Sequence, residues 1–317
     1  MSSLIQQLEQ NYVERSTNKS MFRDTWNKLC AEFPPVAEFD YNSNIFPSTR
    51  LAKEAGDMGL AILWIVQFSL FRCIIKDTLG LMDQDHPLFS SIGSLEGATI
   101  GAMAHTEPRD NRLIIKRDES SVELNGTKRY ISGGLDADIL LLTGRYPGDE
   151  QYTKMIFMPA ESLPEGSLLS QNLDILNTIS HGTLTLNEFQ CKREYLFPVK
   201  GKALRKILKR WSMIERTLIV EAYIGFMHYI ASACSQSEEV CGQMDDLREL
   251  IDFHQSFSRQ QMQNAWNGEF VETGGDMAKI LGITQTLVHY ISHNSQALPP
   301  EVLARARDLQ LFNKLRV

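Results

Sequence analysis

The sequence predicts an α+β fold in three parts: an N-terminal helical domain over residues 1–98, a middle β-domain over 99–200 and a C-terminal helical bundle over 201–317. Three observations predict it. Leu51 to Lys76 is a long segment that is apolar on nearly all sides after Gly59, the pattern of a helix inside a bundle. Between residues 99 and 200 the apolar residues gather into short alternating or continuous runs bounded by Gly, Pro and Asp, the pattern of strands. From Lys202 onward apolar residues recur at three- and four-residue steps, and Lys202 to Cys234 is the longest helix candidate.

In the first part, Leu4 to Val13 reads as a short amphipathic helix and Phe22 to Phe33 as another, ended by Pro34-Pro35. Met58 to Phe71 is the most apolar run. It is too short to span a bilayer and contains Gln67 and Ser69, so the expectation is a buried helix and no membrane span. In the second part, Ser121 to Leu124 alternates, Asn125-Gly126 suits a two-residue hairpin turn, and Thr127 to Ile131 resumes with β-branched and aromatic residues. Ile139 to Thr143 is a continuous apolar run and reads as a buried strand. Lys154 to Met158 is a strand stopped by Pro159, Thr183 to Leu186 alternates, and Tyr195 to Val199 carries the chain out of the sheet through Pro198. Residues 160–182 read as loops with short strands.

Composition narrows the function classes. A chain of 317 residues with 43% hydrophobic content can bury a large core. Its formal charge of −7 argues against a nucleic-acid partner, because phosphate backbones reward basic surfaces. Cys30, Cys73, Cys191, Cys234 and Cys241 are odd in number and form no CxxC pair, which implies a reduced, cytoplasmic setting. The first residues, MSSLIQQLEQNYVERS, lack the basic region and apolar core of a secretory signal.

The long C-terminal helix carries the most unusual pattern. Glu215, Leu218, Ala222, Gly225 and Tyr229 share one stripe, and a carboxylate on an apolar stripe is costly unless paired or neutral. Desolvation raises its pKa toward the range of a general base; the alternative is an ion pair with Arg210 or Arg216. Lys202, Arg205, Lys206, Lys209 and Arg210 form a basic face that reads as solvated, with coenzyme phosphates as the alternative partner. Met277 to His293 is a further amphipathic helix. His289 and His293 stand one turn apart at metal-ligand spacing, but no third ligand is evident, so both are read as structural and no metal is expected.

The order Thr106-Glu107-Pro108, then Asn125-Gly126-Thr127-Lys128 with Tyr130 and Ser132, then Ala137-Asp138 before an apolar strand, resembles the middle β-domain of the flavin-dependent acyl-CoA dehydrogenases. The resemblance covers most of the chain and makes it an abbreviated, partly divergent relative. It implies an FAD whose ring lies against this sheet. Thr106 would hydrogen-bond the ring, Tyr130 would pack on it, Ser132 would take the place of the usual Thr, and Met103 and His105 would fill neighbouring positions. Tyr130 and Ser132 could otherwise be an ordinary half-buried strand pair.

It further implies that Glu215, in a Glu-Arg step with Arg216, is the catalytic base of an α,β-dehydrogenation of an acyl thioester, carried by CoA or acyl carrier protein. Arg307-Asp308 resembles the family's C-terminal Arg-Asp pair, but the Glu expected beyond it falls at about Arg316 and is absent. Three cofactor motifs depart from the family. Arg109-Asp110-Asn111-Arg112 replaces the Gly-rich turn, Glu239-Val240-Cys241-Gly242 replaces Arg-x-Phe-Gly, and Ser292-His293-Asn294-Ser295 replaces Gln-x-x-Gly-Gly. The second reading is therefore a non-catalytic partner subunit or acyl-binding scaffold without FAD. Family practice implies a homodimer or homotetramer, or a hetero-oligomer with a related subunit.

Overall fold

The computed structural model describes residues 3–35, 46–81, 85–86, 98–199, 201–234, 238–267, 269 and 277–312. Helices come first: Ser3–Gln10, Tyr12–Thr17, Phe22–Glu32, Pro47–Glu54 and Met58–Ser69, the last continuing through the π-helical Leu70–Ile75 into Lys76–Leu79. Seven strands follow: β1 (Gly101–Ala104), β2 (Ile114–Arg117), β3 (Ser121–Ser132), β4 (Ile139–Tyr146), β5 (Asp149–Pro159), β6 (Leu168–Ser170) and β7 (His181–Lys192). Helices Gly201–Ala233, Glu238–Trp266, Met277–His293 and Pro300–Ala306 complete the order. This is an α+β architecture.

The sheet runs β1-β4-β2-β3-β7-β6, with β5 also paired to β4. Its two faces feed two separate cores. Ile139 and Leu141 of β4, Met155 and Phe157 of β5 and Met103 of β1 pack with the helices, whereas Leu140, Leu142, Ile156, Met158, Ala102 and Ala104 pack on the opposite face. Strands buried on both sides lose their polar alternation, which is why Ile139 to Leu142 is uniformly apolar.

The helix from Met58 lies between the sheet and the long helix Gly201–Ala233, contacting both. From Met58 to Leu79 it is long and apolar enough to cross a membrane, longer than the run read from the sequence, yet its most apolar window is wholly packed inside the protein. Its one buried amide docks it to the sheet. Gln67 Nε2 donates to the Gly101 carbonyl at 2.6 Å and its Oε1 accepts from the Gly101 N–H at 2.7 Å, so both polar atoms of an amide in an apolar helix have a partner.

Two expectations require correction. Leu51 to Lys76 is not one helix, because the chain breaks at Gly56, which has φ +61°, and restarts with Asp57 capping the Leu60 N–H at 2.9 Å. A side chain at Gly56 would also sit 2.5 Å from the Tyr229 ring. Asn125-Gly126 is not a hairpin turn. It lies within the 12-residue β3, where the register with β7 shifts between Leu124 and Gly126, and Gly126 has φ +138°. The β2–β3 turn is instead at Asp118–Ser120, closed by Asp118 N–H donating to Ser121 O at 3.0 Å. Beyond β7, where the chain leaves the sheet, Tyr195 lies in a 3-10 turn and Leu196 makes an isolated bridge to Ile156.

Candidate active site

A cavity of about 430 Å³ opens where the sheet meets the helices. Ile62 and Val66 line it from the buried helix, Met103, His105 and Thr106 from the end of β1, and Tyr130 and Ser132 from β3. Leu173, Leu176 and His181 close a third side. Leu208, Trp211, Ser212, Glu215, Arg216 and Ile219 come from the long helix. All six residues singled out from the sequence (Met103, His105, Thr106, Tyr130, Ser132 and Glu215) therefore face one space.

The helical stripe explains how Glu215 reaches it. Leu218, Ala222 and Gly225 on that stripe are buried, so the face is held inward, and Glu215 is where it meets the cavity. Arg210 pairs with Asp77 instead. Among the described residues Glu215 makes no hydrogen bond and no ion pair within 4 Å, and Arg216 acts on it only through its charge. Desolvation pushes the Glu215 carboxyl up to about 8, with the charge of Arg216 opposing. The side chain is half-buried, reaching the cavity's own solvent while protein surrounds it elsewhere.

The opposite wall is held in a strained conformation. The β3–β7 register shifts again between Lys128 and Ile131, and Tyr130 sits at this bulge with φ +58°. A left-handed aromatic residue costs of order 1 kcal/mol, and such outliers gather where ligands bind. The Tyr130 N–H donates to Gln171 Oε1 at 3.0 Å, and the residue stays 46% exposed beside the cavity.

The turn carrying Thr106 is fixed from beneath. The Thr106 carbonyl accepts from Arg129 N–H at 2.9 Å. The fully buried Lys128 ammonium donates to Glu107 Oε2 at 2.7 Å, to the His105 carbonyl at 3.1 Å and to Thr143 Oγ1 at 3.3 Å. Burial lowers the Lys128 pKa, with Glu107 opposing. For Glu107 burial pushes upward, but the hydrogen bond and charge of Lys128 outweigh it and the carboxyl falls below its ordinary value. His105 meets Thr143 Oγ1 at 3.0 Å and stacks edge-on against Trp211 at 5.7 Å. Burial, then the charge of Lys128, lowers its pKa, so this imidazole is neutral near pH 7.

The loop bearing Leu173 and Leu176 is tied down by groups far away in the chain. Asp308 Oδ1 accepts the Leu176 N–H at 2.6 Å, and Thr178 Oγ1 donates to Asp57 Oδ1 at 2.6 Å. Asp57 also pairs with the buried Arg15 at 2.6 Å. Asp308 of the Arg307-Asp308 pair thus positions the cavity's loop. Arg316 lies outside the described residues.

Sequence reasoning missed His181, Trp211 and the Asp57–Asp308 anchors. His181 pairs directly across the strands with Ser132; counting back by twos from Thr185 and Thr183 puts it on the face away from Leu184 and Leu186, a parity signal present in the sequence. The basic residues Lys202, Arg205, Lys206 and Lys209 are exposed. His289 and His293 touch each other at 4.1 Å, and no cluster of three metal-ligating side chains occurs among the described residues.

No protein-family model matches the chain, and none of the curated proteins matches it. Solved structures do. It is similar to the butyryl-CoA dehydrogenase of Megasphaera elsdenii, at 13% identity and TM-score 0.67 over 99% of this chain and 94% of that one. It is similar to the prolyl acyl carrier protein oxidase AnaB, at 15% identity and TM-score 0.66 over 98% and 92%. It is also similar to PigA in its FAD complex, at 14% identity and TM-score 0.68 over 96% and 88%. The chain has the acyl-CoA dehydrogenase fold over nearly its whole length, in a sequence far diverged from these solved examples.

Proposed function

We propose that the chain is an FAD-dependent acyl thioester dehydrogenase with Glu215 as its base. The observation that carries this reading is an unpaired carboxyl, raised to about 8, facing the Tyr130–Ser132 wall across one cavity. The names of the neighbours support it: one is a butyryl-CoA dehydrogenase, one a prolyl acyl carrier protein oxidase, and one was solved with FAD. The lining fits a flavin ring, because it combines apolar walls, a left-handed aromatic and the hydroxyls of Thr106 and Ser132.

When bound, FAD supplies the two-electron acceptor that takes the β-hydrogen of the substrate as hydride. The chain's own residues do the rest. Glu215, once deprotonated, removes the α-proton, and loss of both hydrogens leaves a 2,3-enoyl thioester. Ser212 lies one turn before Glu215 on the cavity face, placed to donate to the thioester carbonyl as enolate charge develops. Met103, Ile62, Val66 and Ile219 keep the reacting carbons dry, and the edge-on His105–Trp211 pair fixes the mouth of the turn. Among the described residues no disulfide joins the five cysteines, four of which are buried; a cytoplasmic setting and a homo-oligomer, or a hetero-oligomer with a related subunit, are part of the same reading.

One observation favours the second reading, a partner subunit or acyl-binding scaffold without FAD. The Arg109–Arg112 turn is stapled to β3: Thr127 N–H donates to Asn111 O at 3.1 Å, Asn111 Nδ2 donates to Thr127 Oγ1 at 2.9 Å, and the Arg112 carbonyl lies 2.3 Å from where a Gly126 Cβ would be. That turn holds no glycine to let a pyrophosphate approach the backbone. Titration with FAD separates the two. Uptake of FAD, followed by bleaching with an acyl-CoA that is lost in Glu215→Gln, is expected. Failure to bind FAD supports the scaffold, and bleaching that survives Glu215→Gln removes Glu215 from its role.

A further inference from the structure

Between Glu194 and Glu215 the sequence holds six Lys and Arg residues and no carboxylate, in a chain whose formal charge is −7. On the helix Gly201–Ala233, Lys202, Arg205, Lys209 and Arg216 recur at steps of three, four and seven residues, so they form one stripe about 21 Å long. Lys206 stands beside it. All five are exposed. Arg216, at the far end of the stripe, lines the cavity that Glu215 faces, and Leu208 and Ser212 line it along the stripe's edge. The stripe is therefore a charged ridge that runs from the start of the helix to the rim of the candidate active site.

The fold itself is not stabilised by this arrangement. Residues three and four apart on a helix are neighbours, so Lys202 repels Arg205 and Lys206, and Arg205 repels Lys209. Lys202 also lies in a first turn that holds no acidic residue, where the helix dipole favours anions. Among the described residues Lys202, Arg205, Lys206 and Arg216 form no ion pair, whereas Arg210, off the stripe, is paired with Asp77. A structural role is visible for Arg210 and for none of those four.

Shape selects the kind of anion. Of the five cations Arg216 alone lines the Glu215 cavity; the others stand on the outward, convex side of a helix. Small coenzymes are held by concave walls and a few convergent polar groups, whereas cations spread along an exposed ridge match an extended acidic face of another protein. We infer that this ridge docks an acidic acyl carrier protein, which presents its acyl thioester to the cavity at the Arg216 end, in preference to acyl-CoA. The inference rests on the acyl thioester reading above and names the carrier.

The test uses the full chain, an acidic acyl carrier protein bearing its phosphopantetheine arm, and one short acyl group carried in turn by that protein and by CoA. Binding of the unacylated carrier protein to the FAD-free chain, read by fluorescence anisotropy, needs no turnover. In the double variant Lys202→Glu, Arg205→Glu its dissociation constant should rise about tenfold or more. Salt raised from about 50 mM to about 300 mM should weaken binding to the unaltered chain in the same direction. With FAD bound, the half-saturating concentration of acylated carrier protein in the bleaching assay should rise as much in the variant, while that of acyl-CoA stays within about twofold. The variant should melt no lower than the unaltered chain, because like-charge neighbours have been removed, and the milder pair Lys202→Gln, Arg205→Gln should shift carrier binding in the same direction by less. The inference is overturned if the carrier protein does not bind the unaltered chain at about 50 mM salt, or binds all forms alike. It is equally overturned if half-saturation by acyl-CoA rises as much as that by the carrier protein, the mark of a coenzyme-phosphate patch. Charge-sensitive carrier binding with no bleaching by either substrate fails the flavin reading and leaves the docking surface standing; bleaching by acyl-CoA with no carrier binding sinks the docking surface alone.

Discussion

Replacing Glu215 by Gln should change stability in a way that depends on pH. In the folded chain this carboxyl sits near 8, against an ordinary value of 4.5. The folded state therefore holds its proton where the unfolded chain has released it, and stability falls as pH rises between those two values. Gln is neutral throughout and lacks that loss. The shift of 8 − 4.5 = 3.5 pH units corresponds to at most about 5 kcal/mol; because the side chain is half-buried and meets cavity solvent, about half of that is expected. The groups facing it do not alter the sign. Arg216 opposes the shift and His181 is uncharged. Urea unfolding of both FAD-free proteins from pH 5 to pH 9 measures the difference. It should lie close to zero at pH 5, grow in favour of Gln up to about pH 8 and then flatten. A difference constant to within about 0.5 kcal/mol across that range refutes the desolvated carboxyl. If Glu215 is the base, bleaching by acyl-CoA should accelerate with pH through the same midpoint.

Three further outcomes follow from single contacts. Gly126→Ala forces a Cβ to 2.3 Å from the Arg112 carbonyl at φ +138° and should cost about 3 kcal/mol or more in chemical denaturation, by strain and overpacking; a loss under 1 kcal/mol is contrary to the bulge. Asp57→Ala strands the buried Arg15 and releases Thr178 and Leu60, so about 3–5 kcal/mol should be lost, with proteolytic nicking appearing first near Thr178. Tyr130→Gly relieves a left-handed residue whose ring packs little; the FAD-free protein should be unchanged or up to about 1 kcal/mol more stable, while FAD affinity drops. A destabilised FAD-free protein contradicts the strain.

What the sequence made readable was whatever periodicity encodes. The 33-residue helix Gly201–Ala233 and the apolar strand from Ile139 follow from spacing alone, as does the carboxylate stripe of Glu215. Asn125-Gly126 misled because positive φ is common to hairpin turns and bulges, and the local residues cannot say which neighbour the strand will meet. Here the neighbours are Arg112 on one side and β7 on the other. Gly56 was hidden inside a stretch whose hydrophobicity carries straight on. The anchors Arg15, Asp57, Thr178 and Asp308 had no local signature, since their bonds span 42 to 132 residues.

Those anchors also explain why a chain so far diverged from its solved neighbours keeps a cavity in the same fold. Asp57 begins the buried helix that supplies Ile62 and Val66, and it holds Thr178 in the loop that supplies Leu176. Asp308 holds Leu176 itself from the far end of the chain, while Gln67 fixes the same helix to the start of β1, two residues before Met103. The start of β1 and the loop of Leu176 and Thr178 are thus bonded to the buried helix, to its cap Asp57 or to Asp308. The long helix, carrying Glu215, packs against that same buried helix. A shared reference of this kind lets residues of the surface and of the Arg109–Arg112 turn change without moving Glu215 relative to the sheet.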